Sequence, residues 1–122
     1  MKNTRSPICF IEEVLMEVNY KHDDWGEQGR ISALDDQNEI GYLVWKVKNS
    51  KLWLADLMIH DESNRGKGIG TKLLNELDKI AAQYKADKIW GTTSSEDLPV
   101  HRFYRKNGYS VQVINNEGYL EK

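Results

Sequence analysis

From Ile69 onward the apolar positions fall at Leu73, Leu74, Leu77, Ile80, Ala81 and Tyr84. That spacing lays one stripe along a helix and leaves Asn75, Asp78, Lys79 and Gln83 on its wet side. Earlier in the chain the period is two. Ile40 to Lys48 sends Leu43, Trp45 and Val47 one way and Tyr42, Val44 and Lys46 the other, which predicts a strand. Asn49-Ser50 makes a tight turn into a second strand, Leu52 to Ile59. This one is apolar on both sides apart from Asp56, so it is expected to be central and buried on both faces. Gly29 to Leu34, bounded by Gly26 and by Asp35-Asp36-Gln37-Asn38, is a shorter strand. Ile8 to Tyr20 is rich in apolar and β-branched residues and is also read as a strand, which leaves Lys21 to Gln28, with His22, as a loop.

After the long helix, Lys88 to Thr92 is a short strand. Ser94 and Ser95 are candidate caps for a second helix that carries Pro99 in its first turn. Arg105 and Lys106 suit that helix's negative end and Gly108 its left-handed stop. Tyr109 to Ile114 and Tyr119 to Leu120 close the chain as strands around an Asn115-Asn116-Glu117-Gly118 turn. Strands, helix, strand, helix, strands predict an α/β (α+β) domain around a mixed, mostly antiparallel sheet. The 122 residues form a single domain, 1–122, without linker or repeat.

Composition narrows the function classes. Apolar residues at 39% and charged residues at 30% describe a soluble globular protein. The run Gly41 to Trp45 is free of charged and amide side chains, but it is far below the roughly 20 residues that cross a bilayer. Lys2 and Arg5 imitate the start of an export signal, but Glu12 and Glu13 cut the run that follows. The single cysteine, Cys9, cannot pair internally and fits a reducing cytoplasm. No two histidines have helical metal spacing, so no metal is expected. A net charge of −2 argues against nucleic-acid binding. Trp25, Trp45, Trp53 and Trp90 are scattered without an evident basic stripe, and core packing is the expected use of most of them. Residues 1–64 carry −5 and residues 65–122 carry +3.

Candidate chemistry concentrates in Arg65-Gly66-Lys67-Gly68-Ile69-Gly70, which lies between a strand and the long helix. A helix N-terminus offers unpaired N–H groups and partial positive charge, and glycines let a phosphate reach that backbone. Arg65, Lys67 and Lys72 add cationic charge. The sequence is not a P-loop, because Thr71 precedes Lys72, and it lacks the third glycine of a dinucleotide fingerprint.

Arg65, Gly68 and Gly70 fall on a (Gln/Arg)-x-x-Gly-x-(Gly/Ala) loop, and Val100-His101-Arg102-Phe103-Tyr104-Arg105-Lys106-Asn107-Gly108-Tyr109 is similar to Ala-x-x-Phe-Tyr-x-Lys-x-Gly-Phe. With both motifs in order, the stretch from Leu52 to about Ile114 resembles the GNAT superfamily of acyl-CoA-dependent N-acyltransferases. The resemblance implies a sheet whose two central strands splay apart, with two main helices, and acetyl-CoA held between those strands. Asp56 to Ile59 would be one wall and Lys88 to Thr92 the other. The backbone of Gly66, Lys67, Gly68, Ile69, Gly70 and Thr71, beside Arg65, would hold the pyrophosphate. An N–H near Met58 or Ile59 would polarise the thioester carbonyl. Tyr104 would act as general acid toward the leaving sulfur.

Asp56 and His60, at even spacing on the cofactor-side strand, are the candidate bases, with Glu12 and Glu13 as weaker ones. Three departures from the family pattern stand out. Lys21 to Gln28 is too short for the two helices usual between the first strands, Asp97 replaces a common asparagine, and Val100 stands where alanine is usual. The expected function is acetyl transfer from acetyl-CoA to a primary amine, small-molecule or peptide, by direct attack in a ternary complex. The acidic first half favours a cationic acceptor. The alternative is a CoA-binding regulatory or interaction module without turnover. Unpaired strand edges are compatible with a homodimer.

Overall fold

The computed structural model describes residues 17–122. The elements are β1 (Val18–Asp24), β2 (Gln28–Asp35), β3 (Asn38–Lys48), β4 (Lys51–Ile59), α1 (Ile69–Gln83), β5 (Lys88–Ser94), α2 (Leu98–Lys106), β6 (Ser110–Ile114) and β7 (Glu117–Glu121). A short 3-10 turn, Glu62–Asn64, precedes α1. The strands form one sheet in the order β1-β2-β3-β4-β5-β7-β6. Every neighbouring pair is antiparallel except β4 and β5. This is the mixed, mostly antiparallel α/β architecture that the order of sequence patterns predicts.

Two hairpins turn on residues with left-handed backbone, Asn49-Ser50 (φ 54 and 63°) and Asn115-Asn116 (φ 53 and 64°). Such pairs match the twist of the strands they join. The second turn is therefore Asn115-Asn116 alone, and Glu117 and Gly118 belong to β7. At the other end of the chain, β1 runs to Asp24 and only Trp25 to Glu27 separate it from β2. His22, expected in a loop, lies in β1, and its Nε2 is 2.7 Å from Glu76 Oε1 on α1. The part of the Ile8 to Tyr20 strand that precedes residue 17, with Cys9, Glu12 and Glu13, lies outside the described residues.

Both helices pack on one face of the sheet. There Ile31, Leu43, Trp45, Leu52, Leu54 and Leu120 meet Leu73, Leu74 and Leu77 of α1 and Tyr104 of α2 in one core. The opposite face carries no helix among the described residues. This changes the reading of β4. The strand is central, but only Leu52 and Leu54 are buried, whereas Lys51, Trp53, Asp56 and Met58 face outward and are exposed. Of the four tryptophans only Trp45 is core, at 1% exposure, while Trp25 and Trp53 are 61% and 38% exposed. Apolar character on both sides misled the sequence reading because aromatic side chains can tile an open face.

Helix α2 is capped by Asp97, whose carboxylate accepts from the Val100 N–H at 3.3 Å, not by Ser94 or Ser95. Ser94 Oγ accepts instead from the Glu96 N–H in the preceding turn. Pro99 lies in the first turn of α2, and Gly108 follows its end at φ 92°, as the sequence predicts.

Candidate functional site

Strand β4 contains a bulge. Val44 pairs with Asp56 but Trp45 pairs with Leu54, which leaves Ala55 as the extra residue. The parallel ladder to β5 holds only at Lys51↔Lys88, Leu52↔Ile89 and Trp53↔Trp90. Beyond it β4 stays with β3 to Ile59, while β5 stays with β7 from Trp90 to Ser94. The two central strands therefore part at the bulge. At the apex, a Cβ on Gly91 would come within 2.9 Å of the Leu54 carbonyl oxygen, so glycine is what lets the strands touch there. Lys88 to Trp90 form this closed apex, and the free β5 wall begins at Gly91, later than the sequence reading had it.

The orientation of the β4 backbone follows from one bond. His60 N–H donates to the Ile40 carbonyl at 2.9 Å, so it points toward β3. Backbone groups alternate along a strand. The N–H of Met58 therefore also faces β3, and those of Leu57 and Ile59 face the parting. Met58's side chain is exposed on the open face and Ile59's is half-buried on the helix side.

Past the end of β4 lies the glycine loop. Arg65 and Lys67 are exposed, and Gly66 and Gly68 have φ of 78 and 81° with open space where a Cβ would be. Gly68 caps α1 without any side-chain hydrogen bond, and no acidic residue occupies the first turn. The first helical bond runs from Lys72 N–H to the Gly68 carbonyl at 3.0 Å. The N–H groups of Ile69, Gly70 and Thr71 consequently have no partner within the helix. Gly70 is small for another reason: its Cβ would lie 2.9 Å from the Phe103 ring of α2. Together these features suit an anionic, phosphate-bearing group.

Tyr104 sits beside Phe103 and Tyr109, ring centroids 5.2 and 5.5 Å away in edge-on contact. It is 7% exposed, and burial, helped by the Asp56 charge, pushes its phenol up to about 12. It therefore stays protonated at neutral pH and holds its proton more firmly than a free tyrosine. His101, one turn earlier, is buried, and its Nε2 is 2.7 Å from the Ser94 carbonyl. A carbonyl only accepts, so that nitrogen carries the hydrogen and ties α2 to the end of β5.

On the open face, Asp56 Oδ2 accepts from the Tyr42 hydroxyl at 2.8 Å. The His60 ring lies 5.5 Å from that of Tyr42, and His60 Nε2 is 2.8 Å from Glu39 Oε2. Arg30 Nη2 donates to both Glu39 oxygens at 2.7 and 2.8 Å, and its guanidinium lies 4.1 Å from the Tyr42 ring centre. Burial pushes the Glu39 carboxyl up, but the bonds from Arg30 and His60 outweigh it and hold it below its ordinary value. So Asp56 and His60 do share a face, joined through Tyr42. The sequence reading missed Tyr42, Glu39 and Arg30. Alternation had already put Tyr42 outward, but the contacts of Arg30 and Glu39 depend on the β2–β3 register and its irregularity after Ala33.

A sequence model of the acetyltransferase (GNAT) family matches residues 4–109. A search of curated proteins finds no match. Among solved structures, the PaiA N-acetyltransferase from Thermoplasma acidophilum in complex with coenzyme A is 25% identical, with a TM-score of 0.73. The match covers 79% of this chain and 60% of that one, so the chain spans less than two thirds of that protein. A Bacillus subtilis acetyltransferase in complex with CoA shares the fold at 13% identity, TM-score 0.72, over 86% of this chain and 97% of the other. Arabidopsis thaliana Naa50 in complex with the bisubstrate analogue CoA-Ac-MVNAL shares it at 19% identity, TM-score 0.66, over 77% and 73%.

Proposed function

The chain belongs to the GNAT family of acetyltransferases, and on that premise we propose that it transfers the acetyl group of acetyl-CoA to a primary amine by direct attack in a ternary complex. One observation carries the reading: the β4–β5 ladder stops after three residue pairs, in front of a helix whose N-terminus is uncapped by any side chain.

The residues present fit acetyl-CoA as cosubstrate. The free N–H groups of Ile69, Gly70 and Thr71, the open approach at Gly66 and Gly68, and the charges of Arg65 and Lys67 receive the pyrophosphate. The Leu57 and Ile59 N–H groups, turned toward the parting, bind the pantetheine arm, and that of Ile59 polarises the thioester carbonyl. Asp56, outward-facing at the point where β4 leaves β5, holds the amine and takes its proton, directly or through water, while Tyr42 fixes the carboxylate. The C–N bond forms as the C–S bond breaks, the amine gives one proton to Asp56, the sulfur gains one from Tyr104, and exchange with water returns Asp56 to its carboxylate and Tyr104 to its phenol. The open face beside Asp56 suits a small-molecule or peptide amine.

The deciding test is thermal melting with excess acetyl-CoA, followed by thiol release with a panel of amines. Ligand at about 100 times its dissociation constant adds about 2.7 kcal/mol, a shift of several degrees in a domain of this size. A shift followed by amine-dependent thiol supports the proposal. A shift without thiol from any amine favours a CoA-binding module instead, and no shift removes the cofactor reading.

A further inference from the structure

On the open face, at the closed end of the β4–β5 parting, lies a hollow of about 750 Å³. Its floor is aromatic: Trp53, Trp90 and Tyr119 stand on β4, β5 and β7 with near-parallel rings, centroids 5.7 and 6.2 Å apart. Its rim is basic, formed by Lys46, Lys48, Lys51 and Lys88. Among the described residues only Lys88 of these four has an ion pair, to Glu121 at 3.2 Å. A positive rim over an apolar aromatic floor complements a planar group that carries negative charge.

The hollow adjoins the site of the proposed transfer. Asp56 follows Trp53 along the exposed side of β4, with only the small side chain of Ala55 exposed between them. Two or three residues of extended chain span roughly 7–10 Å. A ligand lying along β4 therefore reaches Asp56 with one end and the lysine rim, beginning at Lys46 opposite Trp53, with the other.

We infer that the hollow is the acceptor's second subsite, and that the acceptor class is a primary amine bearing a carboxylate on an aromatic ring about 7–10 Å from its nitrogen. The inference rests on the transfer reading above. It adds an anionic group to the cationic acceptor that the charge sum over the first half of the chain favours. Lys46, Lys48 and Lys51 belong to that acidic half, yet one hairpin gathers them at a single spot.

The test compares 4-(aminomethyl)benzoate with benzylamine, which differ only in the carboxylate, by kcat/KM for thiol release. A second arm titrates intrinsic tryptophan fluorescence with 4-methylbenzoate, which has no amine and needs no turnover. The expected result is at least a ~10-fold preference for the carboxylate, reduced to near parity in Lys46→Gln/Lys51→Gln and restored in Lys46→Arg/Lys51→Arg. Saturable quenching by 4-methylbenzoate that weakens with salt accompanies it. Equal turnover of the two amines overturns the subsite and leaves acetyl transfer standing. Quenching without thiol release from any amine overturns the transfer reading and, with it, the acceptor assignment. Quenching by a short oligothymidylate but not by 4-methylbenzoate overturns the inference in favour of single-stranded nucleic acid. Burial of Trp53 in a dimer overturns it in favour of a second copy.

Discussion

On the helix-covered face, Trp45 lies over Gly29, where a Cβ would be 2.5 Å from its ring, and is closed in by Tyr84 and the aliphatic core. On the next two strands, β4 and β5, Trp53 and Trp90 carry the same side chain to the other face and stack there. The first face is built from Leu, Ile and Val against two amphipathic helices, and it stores the stability of the fold. The second is built from aromatic rings, lysines and a chain of polar contacts from Asp56 through Tyr42 and His60 to Glu39 and Arg30. The two meet only where β4 and β5 part, with Tyr104 on the covered side and Asp56 on the open one. A single sheet thereby separates what holds the molecule together from the face proposed to contact an acceptor.

The sharpest way to break this division is at Tyr104, a residue of the covered side with a proposed part in the chemistry. Tyr104→Phe keeps the ring and its packing and removes only the donor. Turnover is expected to fall by roughly 10²–10⁴ while acetyl-CoA affinity, read by calorimetry, stays nearly level. Unchanged turnover would return Tyr104 wholly to the core.

Next in size is a paired comparison of stability. Leu77→Ala, at a fully buried position of α1, is expected to cost about 2–5 kcal/mol and to lower Tm by roughly 10 °C. Trp53→Ala removes a larger side chain from the open face and is expected to cost less than about 1 kcal/mol. Calorimetric melting of the two variants checks this. Equal losses would mean that the open face is part of the core.

This contrast also separates what the sequence could and could not say. Helix α1 was legible because its stripe needs only local spacing, and the glycine loop because its residues are contiguous. The two-sided burial of β4 was misread because a tryptophan scores as apolar whether it faces leucines or water. The Arg30–Glu39–His60 contacts were illegible, since they need the pairing of β2 with β3 and the irregularity after Ala33. The lysine rim was hidden because Lys88 is distant in sequence from the hairpin that carries the other three. Tyr104 is singled out by the motif it shares with a family, not by any local pattern.

Alkali tests the covered side. Burial, and secondarily Asp56, raises the Tyr104 phenol from 10 to about 12 in the folded chain. Tyr109 is pushed up as well, by burial and then by Asp78 and Tyr104. A raised folded value means that the native state binds the proton more tightly. The contribution is thus full below pH 10 and is lost as pH rises from 10 toward 12. For Tyr104 that is roughly 3 kcal/mol over two pH units. Phenolate absorbance near 295 nm should therefore appear for these two rings only together with unfolding, and Tyr104→Phe should soften the alkaline fall in stability. Titration of all six tyrosines before unfolding would contradict the sealed placement of this cluster.

Acid tests the open side, with the smallest effect. Glu39 is held below its ordinary 4.5 because Arg30 and His60 bind its carboxylate more than burial opposes it. Its contribution is present above about pH 4.5 and disappears as pH falls through the lower folded value. Since these groups keep about a third of their surface in water, Glu39→Gln should cost no more than about 1 kcal/mol at neutral pH. The gap between wild type and variant in urea titrations should narrow as pH falls below 4.5 and close once the Glu39 carboxyl is protonated in the folded chain as well. A gap that persisted there would assign the stabilisation to packing around Glu39, and the open face would then resemble the covered one more closely than its charges suggest.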